Sequence, residues 1–287
     1  MDPRYAWVLN LDAELELARG PGYSPSAGVA RATAAFAGRL CGSLLREGDV
    51  VVDARSREGS AAGLVGRAFC PTPRAIATLV RAGADPEPHP PVHVLRRVAS
   101  RAFSASLGAT MPKAAFVTSL DEAMARLRTD PAPGTGWRIK RAFGMAGRGH
   151  RVVGATPRDV DVAFLASWIE EGGVQIEPNV RIAREYALHG RLARDGSVRL
   201  GALTRQRADS SGAWVSSERV EDGDVTAALE EQAQLAARAL ADAGYFGPFG
   251  VDAFTYEGDG GHLCLRARSE INARYSMGFG VGFGDSR

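Results

Sequence analysis

The stretch Lys140-Arg141-Ala142-Phe143-Gly144-Met145-Ala146-Gly147-Arg148-Gly149 lies between two short runs that read as strands, Trp137–Lys140 and His150–Val153. Glycines lacking a Cβ let a backbone approach a ligand closely, and a lysine in front of them adds a compact ammonium, a pairing suited to phosphate. In P-loop enzymes and dinucleotide-binding folds such glycines join a strand to a helix whose N-terminal amides hold the phosphate. Here they join strand to strand. No Lys-Ser or Lys-Thr follows Gly149, where His150 and Arg151 stand instead, and the spacing of Gly144, Gly147 and Gly149 is not GxGxxG. The stretch therefore reads as a hairpin flap able to close over a triphosphate. Lysine is also scarce. Of 35 basic side chains only Lys113 and Lys140 are lysines, so the chain writes arginine wherever a generic positive charge suffices.

Downstream, a helix is expected from Thr156 (cap) to about Glu171, closed by Gly172 and Gly173. Val174–Val180 reads as a strand running into a proline-containing crossing segment, followed by a hairpin that opens at Arg184-Glu185 and turns at Asp195-Gly196. Its returning strand is expected to end in Arg205-Gln206-Arg207. A helix from Asp224 to Ala243 precedes a strand pair, Phe249–Phe254 and Leu263–Asn272, around a glycine-rich turn. Folding that pair brings Asp252 near Glu270, and Glu270 and Asn272, two apart, share one face. Two carboxylates and an amide oxygen make a hard-oxygen site suited to magnesium bridging phosphates. Arg205, Arg207 and Arg274 lie on segments able to face the same place.

Upstream, strands Ala6–Leu11 and Val50–Asp53 flank an alanine-rich helix over about 29–46, and a helix over Pro71–Arg81 leads to the proline-rich Asp85–Pro91 linker, which sets a boundary near residue 92. A helix over about 94–107, stopped by Gly108, and another opened by the capping box Ser119-Leu120-Asp121-Glu122 follow. At 287 residues the chain is expected to form two or three lobes. Its 45% hydrophobic content and net charge of +2 give no nucleic-acid or acidic-membrane signal. Three widely spaced cysteines, Cys41, Cys70 and Cys264, exclude a disulfide framework and a structural zinc site. With no leader-like start and no bilayer-length apolar run, the expected location is cytoplasmic. A nicotinamide dehydrogenase is disfavoured because no glycine fingerprint follows the first strand.

In that order and spacing, Lys140 with its glycine hairpin, the Gln175–Val180 crossing, Glu185, Asp252 and Glu270-Ile271-Asn272-Ala273-Arg274 resemble the ATP-grasp superfamily of carboxylate-amine ligases, over about residues 94–280. The last segment is close to that family's Glu-Ile-Asn-Pro-Arg, and Trp7–Leu11 with Phe69–Arg74 resembles the short pre-ATP-grasp lobe of peptide-ligase relatives. The resemblance implies an α/β chain with the α+β ATP-grasp fold. A small N-terminal lobe would span 1–92 and an ATP-grasp domain 93–287, with a lid subdomain over about 113–177 and a metal-binding subdomain over about 178–287 that grip ATP between them. It implies Lys140 at the phosphates and adenine side, Gly144, Gly147 and Gly149 as the flap, Glu177, Pro178 and Val180 at the adenine edge through backbone groups, and Glu185 at the ribose. Asp252, Glu270 and Asn272 would hold Mg2+, or Mn2+ in its place, and Arg274, with Arg205 and Arg207, would stabilise the transferred group. The family's further lysine, about eleven residues before the next glycine, falls on Arg97 when counted back from Gly108, a departure from its pattern. The implied activity is ADP-forming C–N bond formation between a small carboxylate and an amine through an acyl phosphate, with homodimerisation left open. An ATP-grasp phosphotransferase or kinase, and a non-catalytic nucleotide-binding protein, stand as alternatives.

Overall fold

A computed structural model describes residues 4–145, 148–154, 156–208 and 214–284. The first lobe is a parallel sheet of β1 (Tyr5–Val8), β2 (Val50–Val51), β3 (Val65–Ala68) and β4 (Asp85–Pro86), in the order β2-β1-β3-β4. It is accompanied by α1 (Ala13–Arg19), α2 (Ala27–Leu44) and α3 (Pro73–Arg81). All four residues of β1 are buried, as expected of a central parallel strand covered on both faces. The expected β1 and β2 are present but shorter, while β3 was not legible because Gly66 and Arg67 interrupt its apolar pattern. The space at Gly66 is tight: a Cβ would come within 3.1 Å of Leu79 on α3 and 3.2 Å of the Pro86 backbone.

The single helix expected over 94–107 is two, α4 (Val92–Ala99) and α5 (Arg101–Ser106). Ser100 breaks it by taking extended backbone (φ −77°, ψ 141°), and its hydroxyl accepts from the Ala102 N–H at 3.2 Å. A serine that caps the following helix competes with continuing the preceding one.

The second sheet is antiparallel. It holds β5 (Ala115–Val117), β6 (Trp137–Met145), β7 (Arg148–Val153) and β8 (Val174–Pro178) in the order β5-β8-β6-β7, with α6 (Leu120–Leu127) and α7 (Asp159–Glu170) closing a core of Val117, Leu127, Trp137, Ile139, Leu165 and Ile176. The Ser119 cap forms as expected, its hydroxyl accepting from the Glu122 N–H at 3.2 Å. The α7 start differs from the Thr156 cap. The helix begins at Asp159, with Arg158 as cap, and the Asp161 carboxylate accepts from the Arg158 N–H at 3.1 Å as the third residue of a capping box does.

The third sheet comprises β9 (Ile182–Leu192), β10 (Val198–Leu200), β11 (Thr204–Ala208), β12 (Trp214–Arg219), β13 (Gly247–Glu257) and β14 (Leu263–Asn272), in the order β12-β11-β9-β13-β14 with β10 also on β9. The expected single returning strand is split into β10 and β11, both paired with β9. The long helix α8 (Gly223–Asp242) lays Val225, Leu229, Ala236 and Leu240 on this sheet. A short helix α9 (Phe279–Gly282) packs back on the first lobe through Phe279, Tyr275 and Trp7.

His189 on β9 is fully buried where the glycine-rich tail passes, with Nδ1 3.0 Å from Ser276 Oγ. A Cβ at Gly250, Gly278 or Gly282 would come within about 3.0 Å of its ring, so the tail is glycine because it must pass this imidazole. Burial lowers the His189 pKa from 6.5 to about 4. Above pH 6.5 the ring is neutral in both folded and unfolded chains. As pH falls from 6.5 towards 4 only the unfolded chain takes up the proton, so stability is lost, by about 3 kcal/mol over the window. Urea unfolding at pH 7 and pH 4.5 should show a drop that is smaller by about 2–3 kcal/mol in His189→Gln than in the native chain. Equal drops would remove His189 as the cause.

Candidate nucleotide and metal site

A cleft of about 610 Å³ opens where the three sheets meet, lined by Lys140, Gly144, Gly149, Glu177, Pro178 and Val180 from the second sheet and its exit, and by Glu185, Asp252, Glu270, Asn272 and Arg274 from the third sheet and the segment after β14. Leu11, Thr33, Phe36 and Phe69 close it from the first lobe.

The β13–β14 register sets Asp252 directly opposite Glu270 and Gly250 opposite Asn272. The Asn272 amide N–H donates to Asp252 Oδ2 at 2.8 Å, and Gln206, alternate to Arg205 and Arg207 on β11, donates to Oδ1 at 3.3 Å. Burial, and then the neighbouring Glu270 charge, push Asp252 up to about 7. Burial also raises Glu270, but the charges of Arg101, Lys140 and Arg274 outweigh it and hold that carboxyl below its usual range. A half-buried acid pair in this state is one that a divalent cation would relieve. Among the described residues no cluster of three or more His, Cys, Asp and Glu is present. Two carboxylates and one amide oxygen fit a hard ion that keeps phosphate oxygens and water as its other ligands, and do not fit zinc.

Lys140 comes from β6, which pairs with β8 so that Lys140 lies opposite Gln175 and Arg138 opposite Glu177. Its Nζ is 2.6 Å from Glu177 Oε1, and Arg266 Nη1 is 2.6 Å from Glu177 Oε2. Burial favours the neutral form of both groups. For Lys140 it wins over the pull of Glu177 and lowers the pKa, whereas for Glu177 the Lys140 and Arg266 charges win and bring it down to about 2. Burial raises Glu185 on the opposite wall. Arg274 is held from the first lobe by Glu14, to whose carboxylate its Nε donates, and lies over the Phe69 ring at 5.1 Å.

Three expected residues are not brought to the cleft. Arg97 is exposed on α4, and Arg101 stands in its place, donating to Glu270 Oε1 at 2.9 Å and to the Arg141 carbonyl at 2.8 Å. The count back from Gly108 followed the family's spacing and landed on α4, whereas the residue that reaches the cleft is Arg101, four residues later at the start of α5. Arg205 points to the other face of β11, where it pairs with Glu218 at 2.7 Å, and Arg207 is exposed two residues further along that face. Period-2 alternation decides this, putting Gln206 inside and both arginines outside. Gly147 lies outside the described residues. Sequence reading also missed Glu14, Arg138, Gln206 and Arg266. The signal for Gln206 was present in the strand alternation, while the others become visible only once the sheets are paired.

No protein-family model matches the sequence, and no curated protein matches it. Solved structures do match. A biotin carboxylase from Campylobacter jejuni in a β-γ-ATP complex has a TM-score of 0.58 at 15% identity, covering 98% of this chain and 67% of that one. N5-carboxyaminoimidazole synthetase from Staphylococcus aureus with ADP has a TM-score of 0.53 at 14% identity, covering 96% and 71%. D-alanyl-alanine synthetase A from Vibrio cholerae has a TM-score of 0.51 at 11% identity, covering 95% and 89%. The chain has the ATP-grasp fold, with a small N-terminal α/β lobe before the two α+β units that face each other across the cleft. No helix among the described residues is long and apolar enough to cross a membrane.

Proposed function

We propose that this chain is an ATP-dependent ligase that activates a small carboxylate as its acyl phosphate and transfers the acyl group to an amine, releasing ADP and phosphate. The observation that carries it is the Asp252–Glu270–Asn272 set facing Lys140 in one cleft, with Arg274 at the boundary to the first lobe. Lys140 and the flap glycines Gly144 and Gly149 would take the phosphates. The Asn179 N–H and C=O are already bonded to Gly136 and Thr135, so an adenine edge would be read by the backbone of Glu177, Pro178 and Val180 around it. Glu185 would meet the ribose hydroxyls. A magnesium ion held by Asp252, Glu270 and Asn272 would neutralise the β and γ oxygens. Arg101 fixes the Glu270 carboxylate, and Arg274, held in place by Glu14, would stabilise the charge that develops on the transferred phosphoryl group and the tetrahedral adduct. The carboxylate and amine would enter from the first-lobe side, between Phe69, Phe36 and Arg274. The domain division at residue 92, a cytoplasmic location, and small-molecule partners without nucleic acid or membrane belong to the same reading.

Mg-ATP is expected to raise the melting temperature and NADH to leave it unchanged. Ligand linkage stabilises by about 2.7 kcal/mol at a hundredfold excess over Kd. A shift with the dinucleotide and none with Mg-ATP would overturn the nucleotide assignment. Screening carboxylic acids and amines for ADP and phosphate release in the presence of Mg-ATP then separates a ligase, which frees phosphate along with a new amide, from a kinase, which leaves phosphate on the acceptor.

A further inference from the structure

Behind the nucleotide cleft, on the other side of Arg101, lies a second cavity of about 410 Å³ between α5, the segment leading into β5, β8 and β14. Its space has a simple origin in the sequence. Ala102, Ser104, Ala105, Gly108, Ala109 and Ala114 line it, and none is large enough to fill the gap between the second and third sheets. Ser106, Gly108 and Ala109 are exposed, so the cavity reaches solvent at that rim.

The wall chemistry is one-sided. Arg101, Arg266 and Arg268 line the cavity and no Asp or Glu does. Arg101 and Arg266 are paired elsewhere, with Glu270 at 2.9 Å and Glu177 at 2.6 Å. Arg268, only 4% exposed, meets neutral acceptors alone, the Gln232 side chain and the Gly108 carbonyl. A buried guanidinium with a second one two residues away on the same strand face and no carboxylate of its own is an electrostatic deficit that an anion would cancel. The Ser104 hydroxyl and the Gln175 amide add hydrogen-bonding capacity around the space, while the Thr110 and Ser269 hydroxyls already donate to the Arg268 and Asp252 carbonyls.

We propose that this cavity is a second, anion-binding site, taking a small molecule through a phosphate or carboxylate group held by Arg268 and Arg266. Arg101 is the shared wall: it touches Glu270 of the nucleotide cleft and lines the second cavity. An anion bound behind it is therefore coupled to the geometry of Glu270, and occupancy of this cavity alters the nucleotide site.

The test uses the full chain with inorganic phosphate as the probe, in the presence of saturating magnesium and a non-hydrolysable ATP analogue so that the phosphate positions of the nucleotide cleft are filled. Phosphate should still raise the melting temperature, and a chloride control of matched ionic strength should not. Arg268→Gln should weaken phosphate binding about ten- to hundredfold, the loss expected for hydrogen bonds to a charged group, and leave the analogue's own shift in place. Because Arg268 also ties α8 to the Gly108 turn, a second variant, Ala105→Leu, fills the cavity from α5 without changing charge and keeps a strong helix former there. It too should abolish the phosphate shift. Lys113, exposed and bonded to the Asp130 carbonyl outside both cavities, supplies the silent control, and Lys113→Arg should keep it. A phosphate effect of native size in both Arg268→Gln and Ala105→Leu, or no phosphate effect in the native chain, overturns the proposal. Neither outcome depends on whether the nucleotide reading survives, which the analogue's shift reports separately.

Discussion

Glu270→Gln is expected to slow ATP-dependent phosphate release about 10²- to 10³-fold while nucleotide still binds, the range typical of losing one well-placed electrostatic group in a transition state. Glu270 stands opposite Asp252 in the strand register, and glutamine nearly preserves its shape. The substitution removes one negative charge from the ion's donor set. It also leaves Arg101 facing a neutral oxygen where it had an ion pair at 2.9 Å, though Arg101 keeps its bond to the Arg141 carbonyl. The proposed contacts to base and ribose come from Glu177–Val180 across the cleft and from Glu185 two strands away on β9, and both are untouched, so the cost should fall on turnover. The control is Glu257→Gln at the far end of the same hairpin. Glu257 makes an exposed pair with Arg181 at 3.2 Å, a kind of contact worth about 0–1 kcal/mol, and its loss should leave the rate unchanged. Both variants are to be measured for phosphate release with the substrates that the screen identifies, beside nucleotide affinity. Full activity in Glu270→Gln would remove the metal assignment and with it the main physical support for a ligase over a nucleotide-binding scaffold.

What the sequence made legible follows from how local each determinant is. The Asp252–Glu270–Asn272 set could be read because a hairpin brings its own residues together, and the spacing of two along one strand fixes a common face. The glycine hairpin after Lys140 could be read for the same reason. Arg101 could not be found by counting, since its position depends on a one-residue competition at Ser100 between continuing α4 and capping α5. Arg205 and Arg207 were grouped with the site on charge, although alternation along β11 already assigned them to the face opposite Gln206. Glu14 and Arg266 belong to elements far apart in the chain from their partners Arg274 and Glu177, and only the packing of three sheets makes those pairs. The β4 strand, two residues inside the proline-rich stretch read as a linker, carries too short a pattern to register as a strand.

Lys140→Met separates the two roles that the lysine holds, one in the fold and one at the phosphates. Methionine keeps the apolar stem on β6 and removes the ammonium. Stripping a buried charge of its partner typically costs about 3–5 kcal/mol. Here Glu177 keeps Arg266 at 2.6 Å, so the stability loss should fall below that range and the chain should remain folded. Nucleotide affinity has less reserve, because the other Lys or Arg among the described second-sheet residues lining the cleft, Arg138, is bonded to Asn179 at 3.0 Å. Of the two lysines only Lys140 lines the cleft, and losing its charge-assisted bonds should weaken Mg-ATP binding about ten- to hundredfold. Lys140→Arg tests why a chain so rich in arginine has lysine here. A planar fork keeps the charge that Glu177 needs but is bulkier and reaches phosphate in a different geometry, so stability should return towards native while affinity stays low. Lys113→Arg is the matched control: Lys113 is exposed on the far side of the lid, bonded to the Asp130 carbonyl at 2.9 Å, where either cation serves. Calorimetric titration with Mg-ATP and urea unfolding on all three variants distinguish the outcomes. Equal affinity losses at Lys140 and Lys113 would strip Lys140 of its assignment to the phosphates, and a native affinity in Lys140→Met would leave the Lys140–Glu177–Arg266 cluster as a structural ion triad alone.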